Sequence, residues 1–245
     1  MYKVEFVIMS KLPVIELFGP TIQGEGSVIG LKTMFVRLYG CDYKCSWCDS
    51  AFTWDGSSKS SIQRLTSLEI IDKLNSIGLD GCTYVTISGG NPALYNEPLY
   101  DLISELHKRS KKIIVETQGS IWKDWFNDVD ILTISPKPPS SLMTTDWKVL
   151  RFIFANLQHS KVSLKVVIFD ETDYLFAKKI QVLFPDIPLY LQVGNAEVTR
   201  SECIAGQLLN KLEWLFNLVI NDPELQTARV LPQLHTLIWN NERGK

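Results

Sequence analysis

Three cysteines stand within eight residues, Cys41-Asp42-Tyr43-Lys44-Cys45-Ser46-Trp47-Cys48. The spacing is C-x3-C-x2-C, and Asp42, Lys44, Ser46 and Asp49 make the segment polar, unlike the setting of inert buried cysteines. Three thiolates on so short a loop can hold three irons of a 4Fe–4S cube, although such clusters ordinarily take a fourth cysteine. The remaining iron is then open to a small chelating molecule that can receive an electron. Zinc is the competing reading. Structural zinc takes four ligands, usually as two separated pairs. The fourth would have to come from Cys82, Cys203, His107, His159 or His235.

Five cysteines, three of them crowded together, do not make a secreted disulfide framework, so a reduced, cytoplasmic setting is expected. The chain of 245 residues carries 45% hydrophobic and 21% charged residues, an ordinary balance for a globular protein. A net charge of −2 supplies no basic field for nucleic acid or a membrane surface. No apolar run approaches the roughly 20 residues of a membrane span. Residues 1–245 read as a single domain. Residues 1–9 carry little weight, because Met9 offers a second start beside Met1.

The elements that position the cysteines alternate in type. Strands are expected at 14–18, 33–38, 83–88, 112–116, 131–135, 162–169 and 189–193, and helices at 67–77, 98–109, 172–184 and 200–219. Continuous apolar runs such as Val166-Val167-Ile168-Phe169 suit a parallel sheet covered on both faces. Glycine, proline and polar residues collect after the strands: Gly40-Cys41, Gly89-Gly90-Asn91-Pro92, Glu116-Thr117-Gln118-Gly119, Pro136-Lys137-Pro138 and Gly194-Asn195. In parallel α/β folds that edge is where sites are built, although any one such loop also reads as ordinary turn chemistry.

A strand running into C-x3-C-x-(aromatic)-C resembles the signature of the radical S-adenosylmethionine enzymes. In that family the open iron chelates S-adenosylmethionine, whose reductive cleavage gives methionine and a 5′-deoxyadenosyl radical. A Gly-Gly-Glu-like loop holding the methionine end reads here Ser88-Gly89-Gly90-Asn91-Pro92. Asn91 replaces the usual Glu, and the Gly90 carbonyl is left as an acceptor. A narrower set runs in order along the chain: Thr21-Ile22-Gln23-Gly24-Glu25-Gly26, Phe35-Val36-Arg37, Asp49-Ser50, Glu116-Thr117-Gln118-Gly119, Ser135-Pro136-Lys137, Leu191-Gln192-Val193-Gly194-Asn195 and Leu231-Pro232-Gln233-Leu234-His235. From about Pro13 to the C-terminus the chain resembles the Bacillus-type 7-carboxy-7-deazaguanine synthase family.

The resemblance implies an α/β fold, a partial, incomplete TIM-like barrel of about six parallel strands. It implies conversion of 6-carboxy-5,6,7,8-tetrahydropterin to 7-carboxy-7-deazaguanine with loss of ammonia, in queuosine and 7-deazapurine biosynthesis. Its cofactors are a 4Fe–4S cluster on Cys41, Cys45 and Cys48, S-adenosylmethionine, and Mg2+ on Ser50. It places S-adenosylmethionine against Trp47, Cys48, Asp49, Gly90, Ser135, Pro136, Lys137, Gln192, Val193, Gly194 and Asn195. The pterin falls to Ile22, Gln23, Gly24, Arg37, Ser88, Glu116 and His235. Implied partners are a flavodoxin or ferredoxin as electron donor and a second copy of the chain. Two rivals remain: a glycyl-radical-enzyme activase, which keeps the cluster and changes the substrate, and a non-enzymatic zinc or iron–sulfur regulatory module.

Overall fold

The computed structural model describes residues 10–158, 161–198 and 204–245. The N-terminal extension, His159, Cys203 and the first residues of the helix expected at 200–219 lie outside the described residues. The elements are β1 (Leu12–Ile22), β2 (Lys32–Leu38), β3 (Gln63–Leu65), α1 (Ser67–Ser76), β4 (Tyr84–Gly89), α2 (Glu97–His107), β5 (Lys112–Thr117), β6 (Ile131–Ile134), α3 (Trp147–Asn156), β7 (Val162–Ile168), α4 (Glu171–Leu183), β8 (Leu189–Val193), α5 (Ile204–Ile220), β9 (Arg229–Leu231) and α6 (Leu234–Trp239).

All nine strands join one sheet in the order β3-β1-β2-β4-β5-β6-β7-β8-β9. From β2 to β9 every pairing is parallel, whereas β1 runs antiparallel to both β2 and β3. The two ends of the order do not meet, so the barrel is open, as expected. Its six principal parallel strands are β2 and β4 to β8, with the short β9 added at the edge.

The sheet sorts its side chains by the period of two. One set is apolar and joins the main core under the helices: Met34, Val36 and Leu38, Val85 and Ile87, Ile113 and Val115, Leu132 and Ile134, Leu164, Val166 and Ile168. The alternate set, aligned by the strand register, reads Phe35 and Arg37, Thr86 and Ser88, Glu116, Thr133, Ser163, Lys165 and Val167. This second set faces the barrel interior and is largely polar. The helices supply the opposing apolar face. In α2, Leu99, Leu102, Ile103 and Leu106 are all essentially fully buried, and truncating one of them, Leu102→Ala, would cost about 2–5 kcal/mol.

Helix starts follow local chemistry. Thr66 and Glu69 form a reciprocal capping box on α1, and the Asp170 side chain accepts the Asp173 N–H at the start of α4. The pattern missed α3, α6, β3 and β9. In α3 the run Trp147-Lys148-Val149-Leu150-Arg151-Phe152-Ile153-Phe154 is rich in strand formers, yet Asp146 accepts from the N–H groups of Lys148 and Val149 and starts a helix. β3 and β9 are three residues each, too short to show any period. No helix among the described residues is long and apolar enough to cross a membrane.

Candidate active site

The cysteine loop leaves β2 at the C-terminal edge of the sheet and is gripped from two sides. On one side Ser46 donates through its N–H to the Ser141 carbonyl (3.1 Å) and through its hydroxyl to the Ser140 carbonyl (2.8 Å). Tyr43 donates to the Thr144 carbonyl at 2.8 Å, and the Trp47 indole to the Ser140 hydroxyl at 2.9 Å. On the other side, Asp42 Oδ1 accepts from Asn91 Nδ2 (2.8 Å) and Gln118 Nε2 (2.6 Å). The loop after β4 packs backbone to backbone on it. A Cβ at Gly90 would lie 1.9 Å from the Gly40 carbonyl oxygen, and the Asn91 N–H donates to that oxygen at 2.7 Å. The glycine at 90 therefore serves this approach first, whatever it later meets in the cavity.

N–H groups already point at two of the sulfurs. Tyr43 N–H and Gln118 Nε2 donate to Cys41 Sγ at 3.4 and 3.7 Å, and the Trp54 indole to Cys48 Sγ at 3.4 Å. Hydrogen bonds of this kind are what an iron–sulfur cluster receives from its protein. Burial pushes all three thiols up, Cys45 to about 11, with neighbouring thiols adding to the effect at Cys41 and Cys45 and Asp49 adding to it at Cys48. Three thiolates together therefore require cationic metal between them. Among the described residues the three sulfurs do not gather within 4.8 Å. One zinc ion with bonds of about 2.3 Å would need them closer than that. Among the described residues, Cys82 sits in the apolar core and His107 pairs with Asp130 at 3.0 Å, so neither is placed as a fourth ligand. The donor set fits an iron–sulfur cube with one open iron better than a closed zinc site.

Beside the cysteines opens a cavity of about 220 Å³. Its wall combines the cysteine loop from Cys41 to Ser50, the inner row of the sheet and the loop after β1. Of the expected residues, Ile22, Gln23, Gly24, Arg37, Trp47, Asp49, Ser50, Ser88, Gly90, Glu116, Ser135, Lys137, Asn195 and His235 line it with the three cysteines. Pro136, Gln192, Val193 and Gly194 do not. Val193 belongs to the apolar outer row, and Pro136 is buried behind the wall. Gln192 accepts the Gly26 N–H at 3.4 Å, while its Nε2 is buried without a partner. Gly194 makes room for Phe169, whose ring would lie 2.2 Å from a Cβ there. Phe169 in turn packs against Trp47, ring centres 5.0 Å apart.

The motif order in the sequence becomes contact in space. Gly24 accepts the Leu234 N–H at 3.0 Å, and a Cβ on it would lie 2.5 Å from His235 Nδ1. Thus Gln-Gly-Glu-Gly and Leu-Pro-Gln-Leu-His close one corner together. Arg37 does not stand alone: it donates to Glu16 at 2.7 Å while lying over the rings of Phe18 and Phe52, so its fork enters the cavity already aimed. Ser50 donates its hydroxyl to Asp49 Oδ1 at 3.0 Å. Asp49, Glu25 and His235 bring one ligand atom each within 4.8 Å of one another, but Glu25 is committed elsewhere. Its Oε2 meets Lys165 at 2.5 Å and its Oε1 accepts from Gln233 at 2.9 Å. Lys165 also meets Glu116 at 2.5 Å. Burial alone would raise the Glu25 carboxyl, yet Lys165, with a smaller push from His235, holds it well below the carboxylate range. Sequence reasoning assigned no role to Glu25, Lys165, Gln233, Phe169 or Gln118. The one local signal was a lysine inside a mostly apolar strand.

Comparison with known proteins agrees with this geometry. Residues 22–135 match a family described as a 4Fe-4S single cluster domain. The chain is 54% identical over 239 residues to 7-carboxy-7-deazaguanine synthase of Bacillus subtilis (strain 168), covering 95% of this chain and 98% of that one. It is 50% identical over 238 residues to 7-carboxy-7-deazaguanine synthase of Bacillus cereus, covering 96% of this chain and all of the other. The chain belongs to the 7-carboxy-7-deazaguanine synthase family. Among solved structures, QueE from Escherichia coli superposes with a TM-score of 0.65 over 96% of this chain and all of that one, at 21% identity. SuiB of Streptococcus suis, in its crystal structure with S-adenosylmethionine, shares the fold at a TM-score of 0.52, covering 81% of this chain and 50% of that one at 13% identity. The expectation of a radical S-adenosylmethionine lyase of the 7-carboxy-7-deazaguanine synthase family is thereby borne out, with its 4Fe–4S cluster and S-adenosylmethionine.

Proposed function

We propose that this chain converts 6-carboxy-5,6,7,8-tetrahydropterin to 7-carboxy-7-deazaguanine with release of ammonia. The observation that carries this reading is end-to-end identity of 54% to the Bacillus subtilis synthase, covering 98% of that protein. Cys41, Cys45 and Cys48 would hold the cluster, and S-adenosylmethionine would lie over Trp47, Asp49, Gly90, Ser135, Lys137 and Asn195. Together these cofactors supply one-electron chemistry able to remove hydrogen from an unactivated carbon.

The chain's own residues bind, aim and shield. Arg37, forked and permanently charged, suits the substrate carboxylate. Gln23, with Ile22, Gly24, Ser88 and His235, would border the pterin, and Glu116 would accept from its guanidine-like edge. Lys137 donates to the Ser135 carbonyl and hydroxyl at 2.9 and 3.0 Å, which stiffens the nucleoside side of the wall. Ser50 and Asp49 offer hard oxygens for Mg2+, whose remaining positions would go to substrate and water. A flavodoxin or ferredoxin as donor, a homodimer, a single domain and a reduced cytoplasmic setting complete the reading. Anaerobic turnover of carboxytetrahydropterin by the reconstituted protein, with and without Mg2+, tests it. Deazaguanine product and ammonia are expected, and S-adenosylmethionine cleavage without that product would overturn the assignment.

A further inference from the structure

Lys165 is the buried charge that the reading above leaves unused. It sits mid-strand in β7 with its side chain only 3% exposed, and its ammonium is 2.5 Å from Glu25 Oε2 and 2.5 Å from Glu116 Oε1. The two carboxylates come from separate parts of the chain, the loop after β1 and the end of β5. Both remain partly open and both line the cavity. Gln233 fixes the second oxygen of Glu25, while Glu116 Oε2 has no partner among the described residues. A buried ammonium has three donors to satisfy and must be paired to stay charged. This one gathers two carboxylate acceptors from separate parts of the chain at a ligand cavity, and the three groups together carry one net negative charge.

We propose that Lys165 is a positioning residue that holds Glu25 and Glu116 as paired, acceptor-only carboxylates for a 2-amino-4-oxopyrimidine edge of the bound ring. That edge presents N–H donors side by side, the pattern a carboxylate reads in a fork. Without the ammonium, two adjacent carboxylates would share a proton, and one would offer a donor where the ligand also offers a donor. The orientation of the ligand follows. Its pyrimidine edge points to Lys165 and its carboxylate to Arg37, at the other end of the inner row.

The inference rests on the pterin reading, and the test uses the product, which shares that edge and binds without turnover. Calorimetry would compare 7-carboxy-7-deazaguanine binding to reconstituted wild-type protein, Lys165→Met and Lys165→Met/Glu116→Gln, all with Mg2+. Lys165→Met is expected to weaken binding at least tenfold. The added Glu116→Gln puts an amide donor where the proposal needs an acceptor, so the double variant is expected to bind no tighter than Lys165→Met. An analogue lacking the 2-amino group should bind wild type and Lys165→Met alike. Lys165→Gln, which keeps a donor and drops the charge, takes the same part if the methionine variant does not fold. Wild-type affinity in the single variant overturns the proposal. So does a double variant that regains wild-type affinity, with native circular dichroism and cluster absorption. Wild-type protein that neither binds the product nor forms it from carboxytetrahydropterin overturns the pterin reading as well, which separates the two failures.

Discussion

Asn91 donates from Nδ2 to the Oδ1 of Asp42 at 2.8 Å, across the gap between the loop after β4 and the cysteine loop. Asn91 is fully buried, and its Oδ1 accepts from Thr117 at 2.7 Å and from the Ala93 N–H at 3.1 Å. It stands where radical S-adenosylmethionine enzymes usually carry Glu, but it does not line the cavity. Its amide ties three loops together, and the Gly90 backbone beside it is what meets the cavity. Asn91→Ala should cost about 1–3 kcal/mol through the buried groups left unpaired. Asn91→Asp should set a like charge against Asp42 and lower iron retention after reconstitution. Denaturant midpoints and iron content check both, and a wild-type pair of values for the aspartate variant would refute the tie.

Gly194 supports Trp47 through Phe169. Gly194→Ala drives a Cβ to 2.2 Å from the Phe169 ring, an overpacking worth about 1–3 kcal/mol. The displaced ring should tilt Trp47 away from the cavity. S-adenosylmethionine affinity is expected to fall several-fold, while cluster absorption stays native. Equilibrium binding under anaerobic conditions measures the first and the visible spectrum the second.

The cysteines divide by position. Alanine at Cys41, Cys45 or Cys48 should each abolish the brown cluster absorption and most of the bound iron. Cys82→Ala, in the core, should leave both intact and cost only about 1 kcal/mol as a small cavity. Iron assay and thermal melts on the four variants decide this, and a cluster lost with Cys82 would reopen the question of a fourth ligand.

The metal-free protein should lose stability in alkali. Cys45 ionises near 9.0 in its ordinary state and near 11 in the fold, because it is buried. Between those values the folded chain keeps a proton that the unfolded chain has released, so stability falls as pH rises through that window. Urea midpoints of the apo-protein across it should decline, and less steeply in Cys45→Ser. An unchanged slope in that variant would assign the alkaline loss to other groups.

Ser50 donates to Asp49 and carries the oxygen proposed for Mg2+. Ser50→Ala should keep the cluster spectrum and S-adenosylmethionine binding but lose stimulation of turnover by Mg2+. Turnover titrated with Mg2+ is the measurement, and an unaltered titration would remove Ser50 from the metal site.

The chemistry was legible wherever it is local. C-x3-C-x2-C, the Gly-Gly loop and the strand-end motifs are short and contiguous, and most of their residues reach the cavity. The partnerships were not. Glu25 and Lys165 lie 140 positions apart, and only the barrel's curvature joins them. The strands were read as continuous apolar runs, which hid their second period. Ser163-Leu164-Lys165-Val166-Val167 alternates polar and apolar until its last residue, and the alternate row holds the acceptor clamp. Arg37 was read as a substrate contact without its partner Glu16, which lies on the antiparallel β1 and is a neighbour only once that strand turns back.

Alternation along the strands also divides the kinds of change the protein can tolerate. Positions under the helices answer for whether the chain folds at all, and their neighbours one residue away answer for what it prefers to hold. Sequence drift in the interior row can therefore alter ligand preference while leaving the scaffold intact. A lineage could acquire a new substrate by rewriting every second residue of a few strands, with the other half of the same strands kept as inheritance.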